Sequence, residues 1–310
     1  MNELIYTDKA EDQFMKTFKY YKSNSSPPSL DEIINIDVNN RTDKVLLLSP
    51  NNLKIEDTRT KQLGLIEPKH WCLYSFRDHP GLFLIRNPFT SHGQRYWIEK
   101  CLKIYPRKPN KRNIDIETSV DDWWEACHLH GQCDKKLLKK LRWSTLGYHH
   151  NWDTKVYTED NKSQFPEELS VLCDIVAGYL GYVNFKAEAA IVNYYHMNST
   201  LSAHTDHSEV NLEAPLFSFS FGQSAIFLIG GTDKTTVPSA ILLNSGDILV
   251  MSEAARLCYH AVPKILPSVS SPWNDDDGIN DDWHSFEEYI KESRINMNVR
   301  QVLNETQCSL

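Results

Sequence analysis

After residue 185 the chain is written in short apolar runs: AAIVNYYHM, PLFSFSFG, SAIFLIGG, SAILLNSGDILVMS and RINMNVRQV. Turn signals divide them at Gly230-Gly231-Thr232-Asp233 and at Asn244-Ser245-Gly246-Asp247. Glycine accepts the backbone angles of tight turns, and Asn and Asp side chains bond to nearby backbone. Evenly spaced short strands of this kind predict a sandwich or barrel-like all-β core. Residues 1–150 carry a different pattern and read as mostly helical with irregular links. PPSLDEII at 27–34 predicts a helix start, with Asp31 and Glu32 in its first turn, near the positive end of the helix dipole. The stretch from Pro88 to Trp97 predicts another helix opening, capped by Thr90 or Ser91. GLFLIRNPF at 81–89 predicts a strand ended by Pro88. KKLLKKL at 135–141 predicts an amphipathic helix with Leu137, Leu138 and Leu141 facing inward.

Composition narrows the class. With 310 residues, 41% of them hydrophobic, the chain can build one large core or two smaller ones. Its 8 Trp, 14 Tyr and 12 Phe exclude a disordered composition. No internal repeat occurs, and no apolar run is long enough to cross a membrane. The opening MNELIYTDKAEDQF lacks the apolar core of a signal peptide and carries early acids, so a soluble intracellular protein is expected. The seven cysteines (72, 101, 127, 133, 173, 258 and 308) are odd in number, scattered and without a CxxC pair, which reads as reduced thiols. Cys127, His128, His130 and Cys133 have ligand chemistry suited to zinc. They crowd one short turn with no second pair, so free thiols are the preferred reading. The net charge of −8 does not by itself suggest a nucleic-acid binder. The distribution does more: RKPNKR at 107–112 and KKLLKKLRW at 135–143 are basic, whereas NDDDGINDDW at 274–283 is acidic. An acidic whole can thus carry a basic face in its first half.

The chemistry begins at His204-Thr205-Asp206. In an extended segment residues i and i+2 point to the same side, so one imidazole and one carboxylate can reach one metal. His260, after the strand-like DILVMS, is the candidate second imidazole. Two histidines and one carboxylate on one face leave open positions, the facial triad of non-haem Fe(II) oxygenases. RINMNVR then alternates. Arg294, Asn296, Asn298 and Arg300 share one face; Ile295, Met297 and Val299 share the other. Two guanidiniums on an inward face suit a dianion such as 2-oxoglutarate, or equally a pair of buried carboxylates of the protein itself. Asn193 and Tyr195, two apart on one face of AIVNYYH, are further cosubstrate candidates or ordinary barrel-lining polar residues.

These motifs in this order (NxY, HxD, a late His and RxNxxxR), with LRWSTLGYHHNWDTKVY at 141–157, resemble the AlkB family of nucleic-acid oxidative demethylases, and within it the type-one branch of animals. The resemblance covers about residues 80–300. It implies a mostly β protein with a helical N-terminal part: a double-stranded β-helix (jelly-roll) core under a substrate-recognition lid. The boundaries it implies are an N-terminal helical or irregular extension over 1–80, helices plus the nucleotide-recognition lid over 81–185, and the β-core over 186–305. It implies Fe(II) on His204, Asp206 and His260, and 2-oxoglutarate on Arg294 with Tyr195 and Asn296 nearby. Asn193 and Arg300 would lie toward the cosubstrate's other end or the substrate. In the lid, Tyr148 is the first choice for base contact, with Trp143, Trp152 and Tyr157 as neighbours; enzymes of this kind unstack a base and clamp it between aromatics. Core packing is an equally good account of each ring singly.

Ser208 stands where bacterial members carry a base-reading acid, two residues after the HxD aspartate, and Glu209 follows as a candidate substrate contact. That departure disfavours simple alkylation-damage repair and favours other methylated bases. Asn298 replaces a usual threonine. The acidic run at 274–283 would repel phosphates and is expected to be a loop directed away from the nucleic acid. The implied substrates are 1-methyladenine in tRNA, N6-methyladenine in DNA or 5-methylcytosine. The implied setting is a monomer without a membrane partner, in the nucleus, the mitochondrion or both, with the cytoplasm as a further compartment. Two alternatives stay open: a histone or protein demethylase on the same iron site, and an abasic-site DNA lyase using a Schiff-base lysine from 135–140.

Overall fold

The structure is a computed structural model that describes residues 11–36, 43–49, 57–129, 132–274 and 283–310. The acidic run at 274–283 lies almost wholly outside them, as does His130. Among the described residues the strands, in chain order, are β1 (Val45–Leu48), β2 (Cys72–Phe76), β3 (His79–Arg86), β4 (Lys111–Arg112) and β5 (Trp143–Gly147). They continue as β6 (Ala189–His196), β7 (Leu201–His204), β8 (Leu216–Gly222), β9 (Ser224–Ile229) and β10 (Ser239–Leu243). The last are β11 (Ile248–Met251), β12 (His260–Leu266) and β13 (Ser293–Arg300). The helices are α1 (Gln13–Lys22), α2 (Arg59–Gln62), α3 (Ser91–Glu99), α4 (Trp123–Cys127), α5 (Lys135–Lys140), α6 (Glu167–Leu180) and α7 (Trp283–Ile290). A nine-stranded sheet runs β1-β2-β3-β11-β8-β13-β6-β5-β4, and a four-stranded sheet runs β10-β9-β12-β7. The paired strands in both are antiparallel. This is the mostly β, jelly-roll architecture that the patterning predicts.

Alternation decides what each sheet does. In β8, Phe217, Phe219 and Phe221 enter a large apolar cluster shared with α3, α6 and α7, while Leu216 and Ser218 face a cavity between the sheets. The neighbouring strands keep the same phase. Ile295, Met297 and Val299 of β13, with Ala190, Val192 and Tyr194 of β6, join the cluster. Their alternates (Arg294, Asn296, Asn298 and Arg300; Ile191, Asn193 and Tyr195) line the cavity. The small sheet divides likewise. Phe227 and Ile229 look inward; Ile226 and Leu228 pack under Phe14, Phe18 and Tyr21 of α1. Each sheet thus has helix on its outer face and the cavity on its inner one.

Local signals hold in part. Thr90 caps α3, its hydroxyl accepting from Gly93 N at 3.0 Å. The strand expected at 81–89 is β3. KKLLKK forms α5, with Leu137 and Leu138 half-buried and Leu141 fully buried just beyond it. The expected helix at 27–34 does not form. Ile34 instead makes a parallel bridge to Ile241, with Ile34 N donating to Ala240 O at 2.9 Å. Ile33 packs with the α1 cluster and Ile34 with the inward cluster. Adjacent residues reach opposite faces only in extended chain. Nor is the first half mostly helical between short links: β1 to β5 lie there and extend both flanks of the large sheet. Their apolar residues pack on the common core, so tertiary pairing outweighs local preference.

Candidate iron and cosubstrate site

The cavity between the sheets has a volume of about 660 Å³. At its floor β7 and β12 pair so that His204 and His260 stand opposite each other. Their rings lie 4.3 Å apart. Asp206, two residues beyond His204, completes the group, and the ligand atoms of the three lie within 4.8 Å of one another. Among the described residues no other cluster of three or more such side chains could hold a metal. Of the Cys127 turn, Cys127, His128 and Cys133 are described and form no such cluster; Cys127 is buried, and burial pushes its thiol up to about 12.

The site prepares its ligands. His204 Nδ1 donates to Ser202 O at 2.9 Å, and His260 Nδ1 donates to Cys258 O at 3.1 Å. A carbonyl only accepts, so each bond fixes the proton on Nδ1 and leaves the Nε2 lone pair for a metal. Burial, with His204 beside it, pushes His260 down to about 4, keeping it neutral at physiological pH. Burial alone would raise the Asp206 carboxyl. Arg300, the two imidazoles and Arg256 overcome that, holding it well below the usual carboxylate range. Arg300 Nη2 donates to Asp206 Oδ1 at 2.9 Å. This donor set of two imidazoles and one carboxylate fits Fe(II).

The adjoining wall fits a dianion. Arg294 faces Tyr195 across the β13–β6 pairing. Arg294 donates from Nη1 to Gln223 O at 3.1 Å and from Nη2 to Ser220 Oγ at 2.7 Å. Its Nε and the Tyr195 hydroxyl are buried without a partner, and both residues line the cavity. Buried donors left unmade cost free energy, so two of them beside a metal-ligand cluster mark where an acceptor belongs. Burial pushes the Arg294 guanidinium down to about 10, still a cation at neutral pH. Asn296 is held by Ser218 Oγ and Phe219 O at 2.8 and 3.0 Å, and pairs in register with Asn193.

The two arginines of RINMNVR therefore part company. Arg294 keeps a free donor in the cavity. Arg300 takes the other reading open to it and pairs with carboxylates of the protein: Nη2 donates to Asp206, and Nε, which makes no hydrogen bond of its own, lies 3.1 Å from Glu209 in an ion pair. Glu209 lines the cavity, but its oxygens are engaged by Arg256, Arg300 and the Tyr157 hydroxyl.

The cavity is also lined by His150, Trp152, Lys155 and Tyr157, which neighbour one another, and by Lys234 and Tyr259, which do likewise. Tyr148 is not there. It is buried in a cluster with Tyr157, Ala189, Val302 and Leu303, its hydroxyl donating to Glu159. Gly147 takes a left-handed turn (φ 68°) that ends β5 and directs the next residue inward. Trp143 also lies outside the cavity, its ring 5.2 Å from that of Trp152. Sequence reasoning missed His150 and Arg256. His150 is two residues past Tyr148, in the same aromatic segment of the predicted lid. Arg256 is a lone cation in the apolar SEAARLCYH, a pattern that itself demands a buried partner.

The 2OG-Fe(II) oxygenase superfamily profile matches residues 81–300. "Nucleic acid dioxygenase ALKBH1" of Homo sapiens is 36% identical over 96% of this chain and 86% of its own. "tRNA demethylase abh1" of Schizosaccharomyces pombe is 36% identical over 74% of this chain and 82% of its own. "DNA N(6)-methyladenine demethylase ALKBH1A" of Arabidopsis thaliana is 30% identical over 74% and 77%. With the triad, the dianion wall and the jelly-roll already in place, the match over most of the chain settles the family: the chain belongs to the 2OG-Fe(II) oxygenase superfamily, whose cofactors are Fe(II) and 2-oxoglutarate.

Proposed function

We propose that this chain oxidatively demethylates methylated nucleobases in nucleic acid. The observation that carries the reading is one cavity lined by two sets of side chains: His204, Asp206, His260, Tyr195 and Arg294, and the rings of His150, Trp152 and Tyr157 with Lys155. In this reading the ring cluster is the mouth through which a base enters. Rings that stack a flipped base, next to a cation for its phosphate, suit a nucleotide better than an extended peptide. The relatives named for tRNA and for N6-methyladenine in DNA support the same class.

In this reading His204, Asp206 and His260 hold the iron. Arg294 and Tyr195 take the far carboxylate of 2-oxoglutarate, with Asn193 and Asn296 alongside. When bound, Fe(II) with 2-oxoglutarate and O₂ supplies the oxidation of the target C–H bond. The protein's own contribution is placement. The mouth rings hold the base, the apolar side chains Leu216, Leu249, Met251 and Val262 exclude water, and the buried Arg300 keeps Asp206 ionised. An N-methyl group oxidised there becomes N-hydroxymethyl and sheds formaldehyde. 1-Methyladenine in tRNA, N6-methyladenine in DNA and 5-methylcytosine are the substrates to test, and monomeric action in nucleus or mitochondrion completes the proposal. A lyase gains no support from 135–140, whose lysines stand exposed on α5, outside the cavity.

The test is mass spectrometry on a panel of methylated tRNA and DNA oligonucleotides with Fe(II), ascorbate and 2-oxoglutarate, beside Asp206→Ala. Loss of one methylated base in the wild type alone is expected. Succinate without any change in the oligonucleotides would move the substrate to protein, with histone peptides next on the panel.

A further inference from the structure

Arg256 spends its whole guanidinium on one short stretch of chain. Nη1 donates to Asp206 O at 2.7 Å, Nε to Ala214 O at 3.1 Å, and Nη2 to Glu209 Oε2 at 3.0 Å. The stretch 205–215 that it grips has no regular secondary structure, yet it carries the carboxylate of the metal cluster. Backbone ladders do not fix that carboxylate. The buried Arg256 and Glu209, each with a side chain 2% exposed, take their place. Glu209 in turn meets Arg300 Nε, and Arg300 reaches Asp206 Oδ1. The circuit thus holds Asp206 twice, through its backbone carbonyl and through its side chain. One mouth residue joins it: the Tyr157 hydroxyl donates to Glu209 Oε1 at 3.2 Å, while the Tyr157 ring lines the cavity beside His150, 5.5 Å away.

We infer that Glu209 and Arg256 are positioning residues that clamp Asp206, and that Tyr157 ties this clamp to the substrate mouth, so that a base entering the mouth adjusts the metal-bearing carboxylate. Glu209 then acts on the carboxylate rather than reading the base. The clamp half stands on geometry alone; the mouth half rests on the nucleic-acid reading above. Both halves go beyond a list of ligands, because they give a physical route by which substrate occupancy alters the metal's coordination before any chemistry. The route is short: hydroxyl to carboxylate to guanidinium to carboxylate, through the buried Tyr157, Glu209 and Arg300 to the partly buried Asp206. A shift of the Tyr157 hydroxyl by a few tenths of an ångström changes how Glu209 shares itself between Arg300 and Arg256.

Co(II) serves as the probe metal, with the full chain and 2-oxoglutarate but no turnover. Glu209→Gln keeps the shape and removes the charge; Arg256→Lys keeps the charge and removes the fork. Each is expected to weaken Co(II) binding about tenfold, the usual scale for residues that orient ligands. The circular dichroism spectrum should stay unchanged. Tyr157→Phe should leave Co(II) affinity within about twofold, since it removes one hydroxyl bond from Glu209. Adding a methylated single-stranded oligonucleotide should then shift the Co(II) absorption bands in wild type. The shift should vanish in Tyr157→Phe, while fluorescence anisotropy still reports binding. Wild-type Co(II) affinity in both folded clamp variants would overturn the clamp. A full spectral shift in Tyr157→Phe would overturn the link to the mouth. If the wild type binds no oligonucleotide, the nucleic-acid reading falls and takes the link with it, while the clamp is still decided by the Co(II) titration.

Discussion

At the scale of single residues the site separates groups that the sequence presents as equivalents. Arg294 and Arg300 sit on one face of β13, yet Arg300 is consumed by Asp206 and Glu209 and Arg294 holds a donor in reserve. Arg294→Lys should therefore raise the KM for 2-oxoglutarate about tenfold or more, because a charge-assisted hydrogen bond contributes about 1.5–3 kcal/mol and a tenfold change is about 1.4. Steady-state succinate formation measures it; an unchanged KM with a reduced kcat would deny Arg294 the cosubstrate. A second prediction concerns protons. Burial, with Lys111 nearby, pushes His149 down to about 4, and its Nδ1 lies 2.8 Å from Thr145 Oγ1. The unfolded chain takes that proton near pH 6.5 and the folded chain does not. Stability is thus fully present above about 6.5 and lost as pH falls toward 4, by about 1.4 kcal/mol per pH unit from this one residue. Urea midpoints from pH 7 to pH 4 should fall less steeply in His149→Gln. His260 contributes with the same sign, so the difference between the two proteins is the readout.

At the scale of elements, β8 offers the sharpest contrast, since its two faces do different work. Phe219 is fully buried in the large cluster, and Phe219→Ala should cost about 3–5 kcal/mol of stability in urea titrations. Ser218, one residue away, accepts from Asn296 Nδ2 at 2.8 Å on the cavity side. Ser218→Ala should cost about 1 kcal/mol, while releasing Asn296 and raising the KM for 2-oxoglutarate. Equal stability losses at the two positions would mean the faces are misassigned. This alternation is also why so much was legible. LFSFSF and RINMNVR each state in their letters which side chains meet the core and which meet the cavity, and HxD with a later histidine is short-range arithmetic on an extended chain. What stayed illegible depends on distant partners. Ile33 and Ile34 look helical until β10 is beside them. The strands β1, β2, β4 and β5 have modest patterns of their own and owe their state to the flanks of the large sheet that they complete. Tyr148 and His150 differ by two positions, yet Tyr148 is drawn into a bridge with Lys162 and a separate apolar cluster while His150 lines the cavity.

At the scale of the molecule the question is how a chain of net charge −8 holds a polyanion. At physiological salt, charge acts over about 8 Å, so local placement outweighs the total. The basic stretch at 107–112 is largely paired with acids of the protein itself: Arg107 with Asp122 and Lys108 with Asp121 at 3.0 Å on the surface, and the buried Arg112 with Asp115 at 2.6 Å. Lys155 and Lys234 both line the cavity. Each lies over a ring, Lys155 5.9 Å from the Trp152 centroid and Lys234 5.2 Å from the Tyr259 centroid. A cation above an aromatic face can meet a phosphate while the ring receives a base. A phosphate contact releases about one condensed counterion, so its loss lowers the slope of log affinity against log salt by about 1. Anisotropy titrations of a single-stranded oligonucleotide between 50 and 200 mM salt, about the range where such slopes are read, give the comparison. Lys155→Gln and Lys234→Gln should each reduce the slope by about 1, and Lys108→Gln should leave it unchanged. The reverse pattern would place the strand across the first half of the chain instead of over the mouth. The rings of His150, Trp152 and Tyr157 would then have to recruit their base without phosphate anchors.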